Sequence, residues 1–245
     1  MILLLAGTGE ARSLAARMAQ AGLAAKASFA GALTTIETMP LPTRIGGFGG
    51  ETCFGRYLEE QGVTAVIDAT HPFAEKISAR SFRICHGAGI PYLRLQRPEW
   101  TAQPEDNWTS VQAQKELSNL IPSKARIFLS VGRKEIGLYH SLFTRPVVMR
   151  SIDPPLNLPA AWRSVLGKPP FTIAQEVSLL REQRIDWLVT KNAGGPVSVN
   201  KLVAARMLGL NVAMISRPPL PNGITVVETA DEAFAWAQSK MKAQP

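Results

Sequence analysis

Unbroken apolar runs alternate along this chain with stretches whose apolar positions recur at helical spacing. Ile2-Leu3-Leu4-Leu5-Ala6 has no polar position, the pattern of a strand covered on both faces. Gly7-Thr8-Gly9-Glu10 turns the chain, and Ala11 to Gln20 then sets Leu14, Ala15 and Met18 on one face of a helix that Gly22 ends. Ala25 to Ala30 reads as a second strand. Pro40 to Gly50 contains Gly46-Gly47-Phe48-Gly49-Gly50, which predicts an irregular loop whose backbone can approach a ligand. A helix near Cys53 to Gln61, a strand at Ala65 to Asp68, a helix from Ala74 to Ala88 and a strand from Pro91 to Leu95 follow. This alternation predicts an α/β fold built on a mostly parallel, doubly wound sheet.

The second half uses the same grammar. Arg126 to Ser130 is a strand, and Gly132-x-x-Glu135 repeats Gly7-x-x-Glu10 at an offset of 125. Thr70 and Thr190, Gly89 and Gly209, and Arg97-Pro98 and Arg217-Pro218 recur at an offset of 120. The chain therefore reads as two Rossmann-like domains, 1–98 and 99–245, joined by a linker near Glu99 to Asn107. Ligands of open parallel sheets collect at the carboxyl ends of the strands, so an interdomain cleft is the expected site. The loops Gly7 to Arg12, Thr70 to Phe73, Val131 to Glu135 and Thr190 to Gly195 sit at such ends.

Composition narrows the classes. The 245 residues, 46% hydrophobic and 19% charged, exclude a disordered tail or a disulfide scaffold. No window reaches the roughly 18 uncharged apolar residues of a membrane span, and no signal-peptide pattern is present, so a cytoplasmic protein is expected. Cys53 and Cys85 lack metal or redox spacing, and His71, His86 and His140 are scattered; no metal site is expected. Net charge is +8, and 17 of the 27 basic residues are arginine. They are dispersed and aromatic residues are few, which disfavours nucleic acid and suits a highly anionic small molecule held by bidentate contacts.

Gly7-Thr8-Gly9-Glu10-Ala11-Arg12, between a strand and a helix, is the setting in which backbone amides and the helix dipole hold a pyrophosphate. The third glycine of the dinucleotide fingerprint is replaced by Arg12, and a plain β–α turn is the alternative reading. No acid ends the second strand. Ser28, Gly31 and Thr34 would therefore lie near the adenosine end, and NADPH is favoured over NADH. Asp68-Ala69-Thr70-His71-Pro72 places Thr70 and His71 at a strand end, His71 being either a proton donor or part of a helix-capping turn. Lys191, Asn192, Gly194 and Gly195 form the counterpart loop, with Lys201 one to two turns beyond; anion contacts and solvated surface lysines both fit.

In order along the chain, these segments resemble the precorrin-6A reductase family of cobalamin biosynthesis. The motifs are Gly7 to Arg12, Arg44 to Gly50, Asp68 to Ala74, Leu93 to Trp100, Val189 to Gly195 and Lys201 to Arg206. The resemblance implies hydride transfer from NADPH to a ring double bond of precorrin-6A, giving precorrin-6B, in the cleft of a two-domain α/β fold. It further implies a tetrapyrrole substrate and hand-over contacts with neighbouring pathway enzymes. His71, Lys191 and Lys201 are the candidates for protonation or substrate polarisation. Where the family usually has Arg after the second strand, this chain has Ala32-Leu33, and Gly194-Gly195-Pro196 is stiffer than the family's loop. An NADP-linked reductase of another anionic substrate, or a non-catalytic anion- or nucleic-acid-binding protein, are the rival readings.

Overall fold

Every strand pairing among the described residues is parallel, and the strands gather into two six-stranded sheets. The computed structural model describes residues 1–30 and 38–242, the side chains of residues 133, 134 and 242 excepted. The chain runs β1 (Ile2–Leu5), α1 (Gly9–Gln20), β2 (Ala25–Phe29), β3 (Thr43–Ile45), α2 (Glu51–Glu60), β4 (Ala65–Asp68), α3 (Glu75–Gly87) and β5 (Tyr92–Leu95). It continues through β6 (Asn107–Val111), α4 (Leu117–Leu120), β7 (Ile127–Ser130), β8 (Val147–Ser151), β9 (Trp162–Leu166) and α5 (Ile173–Glu182). Last come β10 (Trp187–Lys191), α6 (Asn200–Met207), β11 (Asn211–Ile215), β12 (Thr225–Val227) and α7 (Ala230–Lys242).

Two compact units result, one of residues 1–98 with 218–245, the other of residues 99–217. The expected second domain of 99–245 is thus too long at its C-terminal end. After Arg217 the chain returns to the first unit, where β12 pairs with the open edge of β5. Ala233 and Ala237 of α7 are fully buried in the same core as Leu14 and Met18 of α1. A three-residue strand and a helix with small apolar residues carry a weak signal for which sheet they will join.

In the first unit the sheet order is β12-β5-β4-β1-β2-β3, in the second β6-β11-β10-β7-β8-β9. The layouts match, except that the edge strand beside β5 comes from the end of the chain and the one beside β11 from the start of its unit. Within β1, alternate residues enter opposite cores, as a strand covered on both faces requires. Ile2 and Leu4 join the α1 and α7 side; Leu3 and Leu5 join Phe54, Leu58 and Cys85 of α2 and α3. In the second unit, Phe128, Leu188 and Val212 pack with Leu180 of α5 and Leu202 and Ala205 of α6.

The sequence offsets are resolved by strand register. Tyr92 pairs with Val66 and Val212 with Leu188, so β5 and β11 are equivalent at 212 − 92 = 120. Gly89 and Gly209, with φ +66° and +64°, and the two Arg-Pro pairs keep that offset. Thr70 and Thr190 do not. Ile2 pairs with Ala65 and Ile127 with Trp187, which makes Thr190 the equivalent of Asp68. Nor does Gly132-x-x-Glu135 reproduce the backbone of the first turn. After β7 the chain enters 3-10 helix at Arg133–Leu142, interrupted at Tyr139 (φ −103°, ψ 24°), whose ring is fully buried.

Candidate functional site

At the carboxyl end of the first sheet, register partners line up across five strands. Arg44 pairs with Ser28, Ser28 with Leu5, Leu5 with Asp68 and Asp68 with Arg94. This row lies just below the turn that leads from β1 into α1.

The turn itself is set by Thr8. Its extended backbone (φ −133°, ψ 168°) caps α1, with Oγ1 accepting from the Ala11 amide at 3.2 Å and donating to the Ala69 carbonyl at 2.9 Å. One hydroxyl thus fixes the helix start and ties it to the loop after β4. Gly7 is exposed, and a Cβ there would stand 3.7 Å from Thr70 Cα, in ordinary contact. At Gly9 a Cβ would meet nothing within 4 Å, so its bareness serves no packing within the chain. The Gly9 and Glu10 amides have no acceptor among the described residues, as helix starts leave their first donors unsatisfied. Open space, free amides and a helix dipole make a fitting cradle for a nucleotide pyrophosphate. Glu10 is held by Arg97 at 2.8 Å, and Arg12 is exposed on the first turn of α1. Replacing Thr8 with Ala should lower stability by about 1–2 kcal/mol; an unchanged urea midpoint would contradict this reading of the hydroxyl.

Beside the turn, Asp68 and Arg94 are both buried and 2.7 Å apart. Asp68 accepts from the Thr70 amide and hydroxyl and from the Tyr92 hydroxyl, while Arg94 donates to Ser78 Oγ, Gln96 Oε1 and the Thr70 and His71 carbonyls. Thr70 Oγ1 also accepts from Arg94 at 2.9 Å, so this hydroxyl is committed inward, to the loop's foundation. Burial first, and the Asp68 carboxylate next, push the Tyr92 hydroxyl far up, which keeps it a donor. His71 Nδ1 accepts from the Phe73 amide at 3.3 Å, which puts the proton of a neutral ring on Nε2. Beside this loop a cavity of about 260 Å³ is lined by Pro72, Glu75, Ser78, Ala79 and Pro218 to Pro221. Ser28 accepts from Arg44 at 3.0 Å. Gly31 and Thr34 lie outside the described residues.

In the second unit, Lys191 forms an ion pair with Glu135. Asn192 is buried, its Oδ1 accepting from the Trp100 amide and its Nδ2 donating to Glu99 and the Trp100 carbonyl. That amide is therefore spent on clipping the chain to itself. Gly194 and Gly195 take φ +68° and +75°, and the Gly195 carbonyl accepts from the Trp100 indole at 2.9 Å. Arg217 donates to the Asn192 and Ala193 carbonyls. Arg97 and Arg217, matched in sequence, each brace a loop at the end of a sheet.

Lys201 is buried in the first turn of α6, its ammonium 5.4 Å from the Trp100 ring centroid. Burial pulls it down to about 8, and Arg150 adds to this while Glu176 opposes it. Glu176 is itself held by both terminal nitrogens of Arg150 at 2.8 Å. A second concavity of this unit, about 740 Å³ between Ile136, Phe143 and Leu156 to Pro159, includes none of the candidate residues. Among the described residues no three His, Cys, Asp or Glu are grouped to hold a metal, and no helix is long and apolar enough to cross a membrane.

The structure places His71 in the first unit and Lys191 and Lys201 in the second. Arg94 and Arg44 fall within motifs that carry the resemblance, yet the sequence assigns neither a role. A signal existed for Arg94: a charge inside the apolar run Tyr92-Leu93-Arg94-Leu95 demands a buried partner. For the contact of Arg44 with Ser28 none did, since only the β2–β3 pairing brings the two together.

Doubly wound parallel sheets, one carrying a glycine turn into a helix, define a Rossmann-like α/β protein with a nucleotide-type cradle. Residues 1–238 match the family described as precorrin-6x reductase CbiJ/CobK, and the chain belongs to that family of oxidoreductases. It is 41% identical over 238 residues to precorrin-6A reductase of Rhodococcus erythropolis, covering 96% of each chain. With precorrin-6A reductase of Rhodobacter capsulatus the identity is 42% over 239 residues, 96% of this chain and 94% of the relative. A solved structure of CobK precorrin-6A reductase is similar with a TM-score of 0.90 at 38% identity, covering 98% of this chain and 96% of that one.

Proposed function

We propose that the protein reduces a ring double bond of precorrin-6A with NADPH, giving precorrin-6B. The observation that carries this reading is the cradle at Gly7 to Glu10, with open space at Gly9, in a chain matched end to end by precorrin-6A reductases. When bound, the reduced nicotinamide supplies a hydride, and a proton completes the reduction. The residues of the first unit bind and position. The Gly9 and Glu10 amides and the α1 dipole hold the pyrophosphate, and Thr8 fixes their direction. Arg97 draws the Glu10 carboxylate aside at 2.8 Å, which keeps it off the anion. Arg94 and Asp68 hold the Thr70–His71 backbone, which sets the His71 ring at the end of the sheet. In the second unit Lys201, buried and with no carboxylate in an ion pair with it among the described residues, suits a carboxylate of the macrocycle; Lys191, already paired with Glu135, is a bracing residue.

Fluorescence titration of NADPH and NADH tests the foundation. NADPH should bind and NADH bind less tightly. Gly9→Asp, which sets a carboxylate against the pyrophosphate, should weaken NADPH about 10–100-fold. Unchanged affinity in that variant removes the first turn from the cofactor site. Oxidation of NADPH on adding precorrin-6A, and not other polycarboxylates, then tests the substrate.

A further inference from the structure

The Ala32-Leu33 departure removes the arginine expected after the second strand, and the fold supplies another from the next strand over. We infer that Arg44 is the group that binds the 2′-phosphate of the cofactor's adenosine, an inference that rests on the NADPH reading above.

Arg44 follows from β3 pairing in parallel with β2, which makes it the direct register partner of Ser28. In dinucleotide folds the end of the second strand meets the adenosine ribose, and a nearby arginine there accommodates a 2′-phosphate. The guanidinium is already in place. Nη1 donates to Ser28 Oγ at 3.0 Å and the Gly46 carbonyl at 2.9 Å, and Nη2 to the Gly47 carbonyl at 3.1 Å. Its Cζ lies 4.0 Å from the Phe48 ring centroid and 5.2 Å from that of Tyr57. The glycine-rich loop after β3 therefore curls round the arginine head, with carbonyls at Gly46 and Gly47 turned onto it.

Two features mark this as a binding group and not a structural brace. A guanidinium carries five N–H donors, and three are used by the chain, leaving one on Nη2 and that on Nε. No carboxylate pairs with Arg44 among the described residues, whereas Arg94, Arg97, Arg150 and Arg206 each have one. The charge is thus fixed but not neutralised. Alongside, the Tyr57 hydroxyl is buried with no hydrogen-bond partner among the described residues, a second polar group awaiting one. A phosphomonoester dianion would take the two remaining donors as a fork, which a lysine ammonium cannot reproduce.

The test is calorimetric titration of adenosine 2′,5′-bisphosphate and adenosine 5′-monophosphate, which differ only in the 2′-phosphate. Wild type should prefer the bisphosphate about ten-fold or more, and Arg44→Met should abolish that preference while binding the monophosphate as wild type does. Arg44→Lys should retain the monophosphate and lose about three- to ten-fold on the bisphosphate. If Arg44→Met loses both ligands, the lysine variant decides. An undiminished preference in either variant overturns the inference and leaves the NADPH reading standing. An equal loss of both ligands in Arg44→Lys also overturns it, making Arg44 a platform for adenine. Failure of wild type to bind either nucleotide overturns the inference together with the cofactor reading.

Discussion

Asp68→Ala should destabilise the protein by about 3–5 kcal/mol, because it leaves the Arg94 guanidinium buried and without its counter-charge. Asp68 and Arg94 are 0% and 1% exposed, so water cannot take the place of the lost carboxylate. The Tyr92 hydroxyl would lose its 2.8 Å acceptor and keep only the Ser78 carbonyl at 3.3 Å. Thr70 would lose both the bond from its amide and the one from its hydroxyl. Urea denaturation measures the loss, and a change below about 1 kcal/mol would show that the network is not coupled to folding. Asp68→Leu combined with Arg94→Met should recover much of the stability, since no uncompensated charge then remains. The double variant should still lose activity. Arg94 also holds the Thr70 and His71 carbonyls, and no apolar pair can brace that loop.

Lys201→Met should raise stability at pH 7 by on the order of 3 kcal/mol. Burial lowers the Lys201 ammonium to about 8 in the folded protein, while in the unfolded chain it titrates near the usual 10.5. Below pH 8 both states are protonated, and the cost of burying the charge is borne in full. Between pH 8 and 10.5 the unfolded chain binds the extra proton, so wild-type stability rises with pH. The advantage of Lys201→Met should therefore shrink across that window. Urea denaturation of both proteins at pH 7, 8.5 and 10 checks the trend, and a constant difference would sink it. A lysine kept at such a cost is a mark of function. Under the proposed reading, a substrate carboxylate beside it restores the charge its surroundings disfavour, so Lys201→Met should raise KM for precorrin-6A more than it lowers kcat.

Lys201 and Asp68 differ in how far the sequence reveals them. Lys201 was a candidate from the sequence, by its place after the Lys191 to Gly195 loop, yet nothing in the sequence set it apart from Lys191. Only folding pairs Lys191 with Glu135 and seats Lys201 under Trp100. Asp68 stood at a strand end in plain view, but its function as the acceptor for Thr70, Tyr92 and Arg94 needs three segments brought together. Asn192 shows the opposite case. A polar residue in a glycine loop looked like a ligand, and the fold spends its amide on Glu99 and Trp100.

What the sequence determined by itself was local. Apolar runs four or five residues long, interrupted by glycine, can bury both faces only in a parallel sheet, and this fixed the α/β class. Gly7-Thr8-Gly9 set a helix start with free amides, because a threonine cap and two glycines act within one turn of chain. The ordered motifs identified the family for the same reason. Tertiary structure alone decided which edge takes β12, that Thr190 is the counterpart of Asp68 and not of Thr70, and that Arg44 lies against Ser28. These are matters of pairing between distant segments. A strand's own residues state that it must be covered, but the choice of neighbour depends on every other edge available to it.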